Sequence, residues 1–121
     1  MTDLLLVALL GSAGAVVRFL VDGRLRPLTG ERLPWATLVI NISGSLLLGV
    51  ITGLAAHGLP ATVRMAAGTG FCGGYTTFST ASYEGVRLLE RGRGAAAALT
   101  AAGGWAACAL AAAGGLLLSG G

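Results

Sequence analysis

Long runs of apolar residues separated by short polar stretches dominate the chain. A helix that crosses the hydrocarbon core of a bilayer needs about 20 mostly apolar residues, and four runs approach or exceed that length. They cover residues 4–21, 35–56, 62–89 and 95–118. The pattern predicts an all-α membrane protein in which residues 1–121 form a single domain with four transmembrane helices.

The third run is too long for one simple span, and it contains the polar, glycine-rich stretch GFCGGYTTFSTAS at residues 70–82. The adjacent Gly73 and Gly74, followed by hydroxyl-bearing residues, favour a local loss of helix. Irregular backbone at membrane depth persists only where protein buries it or where it faces water. Two interpretations stay open: the third helix breaks at mid-membrane, or it continues and the glycines act as packing notches.

Small residues recur at four-residue spacing on two of the runs. Ser45, Gly49 and Gly53 do so on the second run, and Gly70 and Gly74 on the third. Such spacing lets helix backbones approach closely in lipid. We expect tight helix packing and assembly into an oligomer.

Two polar side chains stand out within the apolar runs. Asn41 is isolated in TLVINISGSLLLG, where an amide needs a partner, so it indicates either an interhelical hydrogen bond or a conduction path. Arg18 lies near the end of the first run. Its guanidinium either reaches the interface or forms a positive vestibule for anions.

Composition excludes several classes of protein. Only 11% of the residues are charged, against about 25% in soluble domains. The eight basic residues, all arginine, are scattered and form no basic face, so we expect no nucleic-acid partner. The match to G-x-G-x-x-G at residues 68–73 lacks the preceding strand that a nucleotide site needs.

The chemically reactive residues form no catalytic group. His57 lies in a turn without a neighbouring acid or nucleophile, and Cys72 and Cys108 lack the spacing of a zinc site or disulfide framework. We expect no enzyme activity. The first run follows Asp3 instead of a basic segment and contains Arg18, so we expect it to be retained and not cleaved as a signal peptide.

The arginines are distributed unequally between the two predicted sides of the membrane. The first and third loops carry Arg24, Arg26, Arg32, Arg87, Arg91 and Arg93. The other side carries Arg64. Positive loops stay in the cytoplasm, so this bias predicts loops one and three inside and both termini outside.

Three motifs together resemble the CrcB/Fluc fluoride channel family. They are GSAGAVVRF at residues 11–19, PWATLVINISGSLLLG at residues 34–49 and the stretch at residues 70–82. The resemblance implies a fluoride-selective passive channel in a prokaryotic plasma membrane, which exports cytoplasmic fluoride and lowers its toxicity. It also implies an antiparallel, dual-topology dimer in lipid, with a mid-membrane break in the third helix.

The same resemblance assigns roles to individual residues. It implies that a structural sodium ion is bound by the backbone carbonyls of Gly73 and Thr76 from both subunits. The anion path would contain Asn41, Phe78, Ser79 and Thr80, and the vestibule would contain Arg18.

Two departures from the family pattern leave the assembly open. Ala81 stands where the family commonly has a second pore phenylalanine, and Thr100 is the only hydroxyl in the fourth run before Ser119. With the arginine bias, they favour a related, oppositely oriented partner over a homodimer, which stays the alternative. Other possibilities are a subunit that does not conduct alone and a small multidrug-type transporter, although the latter would want a carboxylate deep within a helix.

Overall fold

Helices make up almost the whole chain. The structure, a computed structural model, describes residues 2–30 and 33–120. Its elements are α1 (Thr2–Thr29), α2 (Trp35–Ala56), α3 (Ala61–Arg64), a π-helical segment (Met65–Cys72), α4 (Gly73–Tyr75), α5 (Ser79–Glu90) and α6 (Gly94–Leu118). Because α1, α2 and α6 are long and apolar enough to cross a membrane, the chain is an all-helical membrane protein.

Helix α1 extends eight residues beyond the end of the first predicted span. It continues through Asp22 and Arg26, whose side chains form an ion pair one turn apart, and pairs at this spacing support a helix. It ends where Gly30 adopts a positive φ of 74° and donates its backbone N–H to the carbonyl of Arg26. Arg32, which contributed to the predicted charge bias, lies outside the described residues.

Helices α2 and α6 pack through small residues. A Cβ atom on Gly49 would collide with the carbonyl of Ala112, and one on Gly115 would collide with the carbonyl of Leu46. A Cβ on Gly53 would meet the side chain of Ser119. The predicted role of Gly49 and Gly53 in close helix contact is confirmed.

Helix α1 packs on the π-helical segment and α4 in the same way. A Cβ on Gly74 would collide with the carbonyl of Gly11, and one on Gly14 would collide with the carbonyl of Phe71. Gly74 is thus a packing notch within a helix, which was one of the two interpretations of the glycine pair.

The helix nevertheless stops a few residues later. Thr76 is extended, with φ −80° and ψ 160°, and helical structure resumes at Ser79. The third predicted span is therefore interrupted at residues 76–78, after the glycine pair and not within it. The π-helical segment that precedes the interruption, where Gly68, Gly70 and Cys72 are buried, was not predicted by the sequence pattern.

Candidate functional site

Asn41 holds the interrupted backbone in place from the neighbouring helix. Its Nδ2 donates a hydrogen bond to the carbonyl of Thr77 at 2.9 Å, and its Oδ1 accepts one from the N–H of Thr77, also at 2.9 Å. The side-chain amide thus satisfies the two backbone polar groups of a residue that has left the helix. The second N–H of Nδ2 is available for another acceptor.

The side chain of Thr77 forms hydrogen bonds at the start of α5. Its Oγ1 accepts a hydrogen bond from the backbone N–H of Thr80 at 3.2 Å and also lies 3.2 Å from the hydroxyl of Thr80. The hydroxyl of Ser79 lies 3.3 Å from the same oxygen. Three hydroxyls therefore cluster at the first turn of α5, where an N-terminal side chain caps a free amide.

These side-chain contacts take two amides away from their usual backbone acceptors. In a continuous helix the N–H of Thr77 would bond to the carbonyl of Gly73, and the N–H of Thr80 would bond to the carbonyl of Thr76. Here they bond to Asn41 and to Thr77 Oγ1. The carbonyls of Gly73 and Thr76 thus lose their helical partners.

A large groove opens beside the interruption. It has a volume of about 1070 Å³ and runs between α2, α6 and the segments from the π-helical segment to α5. Its walls include Asn41, Gly73, Thr76, Thr77 and Phe78. A Cβ on Gly73 would meet nothing within 4 Å, and the Phe78 side chain is 87% exposed, so the groove is open at the interruption.

The structure brings together only part of the predicted anion path. Asn41 and Phe78 both line the groove, whereas Ser79 and Thr80 lie at the start of α5 and outside its lining. Ala81 lines the groove at the position of the missing aromatic side chain.

Arg18 lies apart from this groove, on α1. Its side chain is half-buried, and Nε is buried without a hydrogen-bond partner among the described residues. Arg18 is not among the residues that line the groove with Asn41 and Phe78, so its place in a vestibule stays a prediction.

The α6 wall of the groove contributes little polarity. Thr100 and Cys108 line it, but the hydroxyl of Thr100 donates to backbone carbonyls of its own helix. The sequence shows few hydroxyls in this helix, and the α6 wall of the groove accordingly offers few polar groups.

A polar network beside the groove was not predicted. Glu84 accepts hydrogen bonds from the hydroxyl of the buried Thr37 and from Arg26, and Arg26 also binds Asp22. The network ties α1, α2 and α5 together. Glu84 lies within the third apolar run, but Thr37 and Arg26 lie far from it along the chain, and no local spacing signals such a contact.

Tyr75 makes a second contact that the sequence did not indicate. Its hydroxyl lies 2.9 Å from the hydroxyl of Ser43 on α2. Its ring is stacked with that of Phe71, with centroids 6.0 Å apart. The tyrosine thus anchors the last helical turn before the interruption.

The sequence of the chain matches a known protein family. The family described as CrcB-like protein, Camphor Resistance (CrcB), matches residues 5–116. A protein of Leifsonia xyli subsp. xyli, named fluoride-specific ion channel FluC 1, is 52% identical over 82% of this chain and 73% of its own length.

Two further relatives have related names. A fluoride-specific ion channel FluC of Syntrophotalea carbinolica is 52% identical over 74% of each chain. A fluoride-specific ion channel FluC 1 of Nitrobacter hamburgensis is 51% identical over 79% of this chain and 78% of its own length.

Proposed function

The chain belongs to the CrcB family, and from this membership we propose that it forms a fluoride-selective passive channel in the cell membrane. Its role would be to let cytoplasmic fluoride leave, since HF enters by crossing the bilayer and ionises inside. The observation that carries the proposal is the interruption at residues 76–78, where polar backbone and hydroxyl groups border an open groove among apolar helices.

The groups around the interruption suit a small, strongly hydrated anion. A selective pore must replace the hydration shell with closely spaced donors. The second N–H of Asn41 supplies a donor, and the hydroxyl of Thr77, which also lines the groove, contacts the hydroxyls of Ser79 and Thr80, which do not line it. The ring of Phe78 can present its positive edge to an anion.

We place the interruption at mid-membrane. Polar backbone survives at that depth only when protein covers it or when it faces a water-filled path. The two hydrogen bonds from Asn41 cover the backbone of Thr77 on one side, and the groove provides the path on the other.

A structural sodium ion fits the two carbonyls that lost their helical partners. Oxygen ligands from unwound backbone hold cations in transporters with broken helices. The carbonyls of Gly73 and Thr76 would be the ligands, as the family resemblance implies. The ion would supply positive charge beside the anion path, and its symmetric position would require a second subunit.

The open groove supports the dimer. Phe78 is 87% exposed and a Cβ on Gly73 would have no neighbour within 4 Å, so a second subunit can approach the interruption closely. The arginine bias and Ala81 favour a related, oppositely oriented partner that supplies an aromatic side chain, with an antiparallel homodimer as the alternative.

Fluoride efflux from liposomes tests the proposed activity. The purified chain is reconstituted in vesicles loaded with potassium fluoride, and a fluoride electrode follows release after valinomycin is added. We expect rapid fluoride release and no comparable release of chloride. Phe78→Ile should lower the rate at least about tenfold, which corresponds to about 1.4 kcal/mol, because the ring edge is lost.

Phe19→Ile is the matched control, because Phe19 is exposed on α1 and does not line the groove. It should leave release unchanged. Release only after a related partner is added would support the half-channel alternative. Release that depends on a proton gradient, or none with any partner, would contradict the proposal.

A further inference from the structure

A second, smaller pocket lies at the end of the helix bundle, away from the interruption. It has a volume of about 220 Å³. Its lining residues are Arg26, Leu33, Pro34, Tyr83, Glu84, Arg87, Leu88 and Arg91. The pocket thus joins α1, the start of α2 and the last turns of α5, and we call it the arginine pocket.

Two arginines give the arginine pocket its positive charge. Arg87 and Arg91 are one turn apart at the end of α5, and both are exposed. Neither forms an ion pair with another described residue. Like charges at this spacing repel each other, so an anion bound between them would relieve the repulsion.

Hydrogen bonds to neighbouring side chains offset the negative charge of Glu84, so this carboxylate does not prevent an anion from binding in the pocket. One oxygen of Glu84 accepts a hydrogen bond from Thr37, and the other accepts one from Arg26 at 3.0 Å. Arg26 is also held by Asp22. Because these groups bind one another, Arg87 and Arg91 are the two charged side chains left to meet a ligand among the lining residues that the structure describes.

The other walls combine an exposed tyrosine with apolar residues, as is typical of protein surfaces at the membrane interface. Tyr83 is 63% exposed and lies one turn before Arg87, and tyrosine is enriched at the level of lipid headgroups. Leu33, Pro34 and Leu88 supply apolar surface. Trp35, the first residue of α2, is half exposed beside Pro34. A ligand here can have a charged part and an apolar part.

We propose that the arginine pocket binds the phosphodiester headgroup of an anionic phospholipid. Arg87 and Arg91 would bind the phosphate oxygens, the hydroxyl of Tyr83 would reach the headgroup, and the apolar wall would meet the glycerol region. The pocket lies on the side where the charge bias places the cytoplasm, and basic pockets on that side of helix bundles recognise such headgroups. Pro34 lines both this pocket and the groove, but none of the residues proposed for the ion path lines the pocket.

Quenching of Trp35 fluorescence tests the site. The chain has two tryptophans, and Trp105 is 77% exposed on α6, so Trp105→Phe leaves Trp35 as the reporter. The variant is reconstituted in phosphatidylcholine vesicles that contain brominated phosphatidylglycerol or brominated phosphatidylcholine. We expect stronger quenching by the anionic lipid, with a preference that falls about fivefold for each pocket arginine removed.

The double variant Arg87→Gln/Arg91→Gln should lose the preference. The matched control Arg24→Gln/Arg64→Gln removes the same number of exposed charges outside the pocket and should keep it. Circular dichroism checks that both variants retain their helices, and Arg91→Gln alone provides a milder test.

Three results would overturn the proposal. The two brominated lipids could quench equally, or the preference could survive in the pocket variant, which would mean that net charge alone attracts the lipid. The two lipids could also quench equally while inorganic phosphate at constant ionic strength changes Trp35 fluorescence in the parent but not in Arg87→Gln/Arg91→Gln, which would show that the pocket takes a free phosphate and not a lipid headgroup.

Discussion

At the scale of single residues, Asn41 links the stability of the fold to the proposed ion path. Replacing it by leucine removes both hydrogen bonds to Thr77 and leaves the backbone polar groups of that residue without partners. We expect Asn41→Leu to lower the free energy of unfolding by about 1–3 kcal/mol. Unfolding by sodium dodecyl sulfate in mixed micelles, followed by circular dichroism, measures the loss.

Ser45→Ala is the control for that substitution. Ser45 lies one turn further along α2 and lines the same groove, but no hydrogen bond links its side chain to another described residue. Its replacement should change stability by less than about 0.5 kcal/mol. Equal effects of the two substitutions would mean that the Asn41 hydrogen bonds do not stabilise the interruption.

Asn41→Asp separates the structural role of this residue from its proposed role in conduction. The carboxylate keeps an acceptor for the N–H of Thr77 but loses both donors, and it adds negative charge beside the anion path. We expect fluoride release to fall at least about tenfold, and by more than the amount of folded protein falls, although the carboxylate also repels the carbonyl of Thr77 and costs some stability. A loss of release no larger than the loss of folded protein would contradict the direct role in conduction.

The sequence could identify Asn41 as important but not assign its contact. A lone amide in an apolar helix predicts either an interhelical bond or a conduction path, and the structure shows the bond. Its partner is the backbone of a residue 36 positions away. Backbone groups occur at every residue, so no side-chain pattern could have indicated which one is bound.

At the scale of helices, the contact between α2 and α6 can be tested with two adjacent glycines. A Cβ on Gly115 would collide with the backbone of α2, whereas one on Gly114 would meet nothing within 4 Å. We expect Gly115→Ala to destabilise the protein by about 1–3 kcal/mol through overpacking. Gly114→Ala should be neutral or stabilise it by up to about 1 kcal/mol.

The same unfolding assay in mixed micelles compares the two variants. Equal stability of Gly114→Ala and Gly115→Ala would mean that the helices move apart at little cost. It would also show that the close approach of α2 and α6 does not depend on the missing side chain.

The lengths of the apolar runs predicted where the helices lie better than where they end. They marked residues 35–56, which α2 occupies, but they did not predict that α1 would continue to Thr29. That extension depends on the contact between Arg26 and Glu84 as well as on the local pair with Asp22. The interruption also lies beyond the glycine pair, because α1 packs against Gly74 while Asn41 holds Thr77.

At the scale of the whole molecule, the central question concerns the partner across the groove. The groove leaves Phe78 and Gly73 uncovered, which supports assembly with a second subunit. The sequence favours a fixed orientation through its arginine bias, whereas an antiparallel homodimer requires insertion in both orientations. These two assemblies differ in which loops are accessible from outside the cell.

Labelling of single cysteines on intact cells distinguishes the two assemblies. In a background with Cys72→Ala and Cys108→Ala, Leu28→Cys places a thiol near the end of α1, and Ala61→Cys places one at the start of α3. Both positions are exposed, and they lie on opposite predicted sides of the membrane. Neither substitution removes an arginine, so the charge bias is unchanged.

With a fixed orientation we expect a membrane-impermeant maleimide to label Ala61→Cys and to spare Leu28→Cys until the cells are opened. Positive loops resist translocation, and this bias should hold nearly all copies in one orientation. Such a chain needs an oppositely oriented relative to build the proposed cation site. Comparable labelling of both positions on intact cells would instead require insertion both ways, and the chain would then be able to pair with itself.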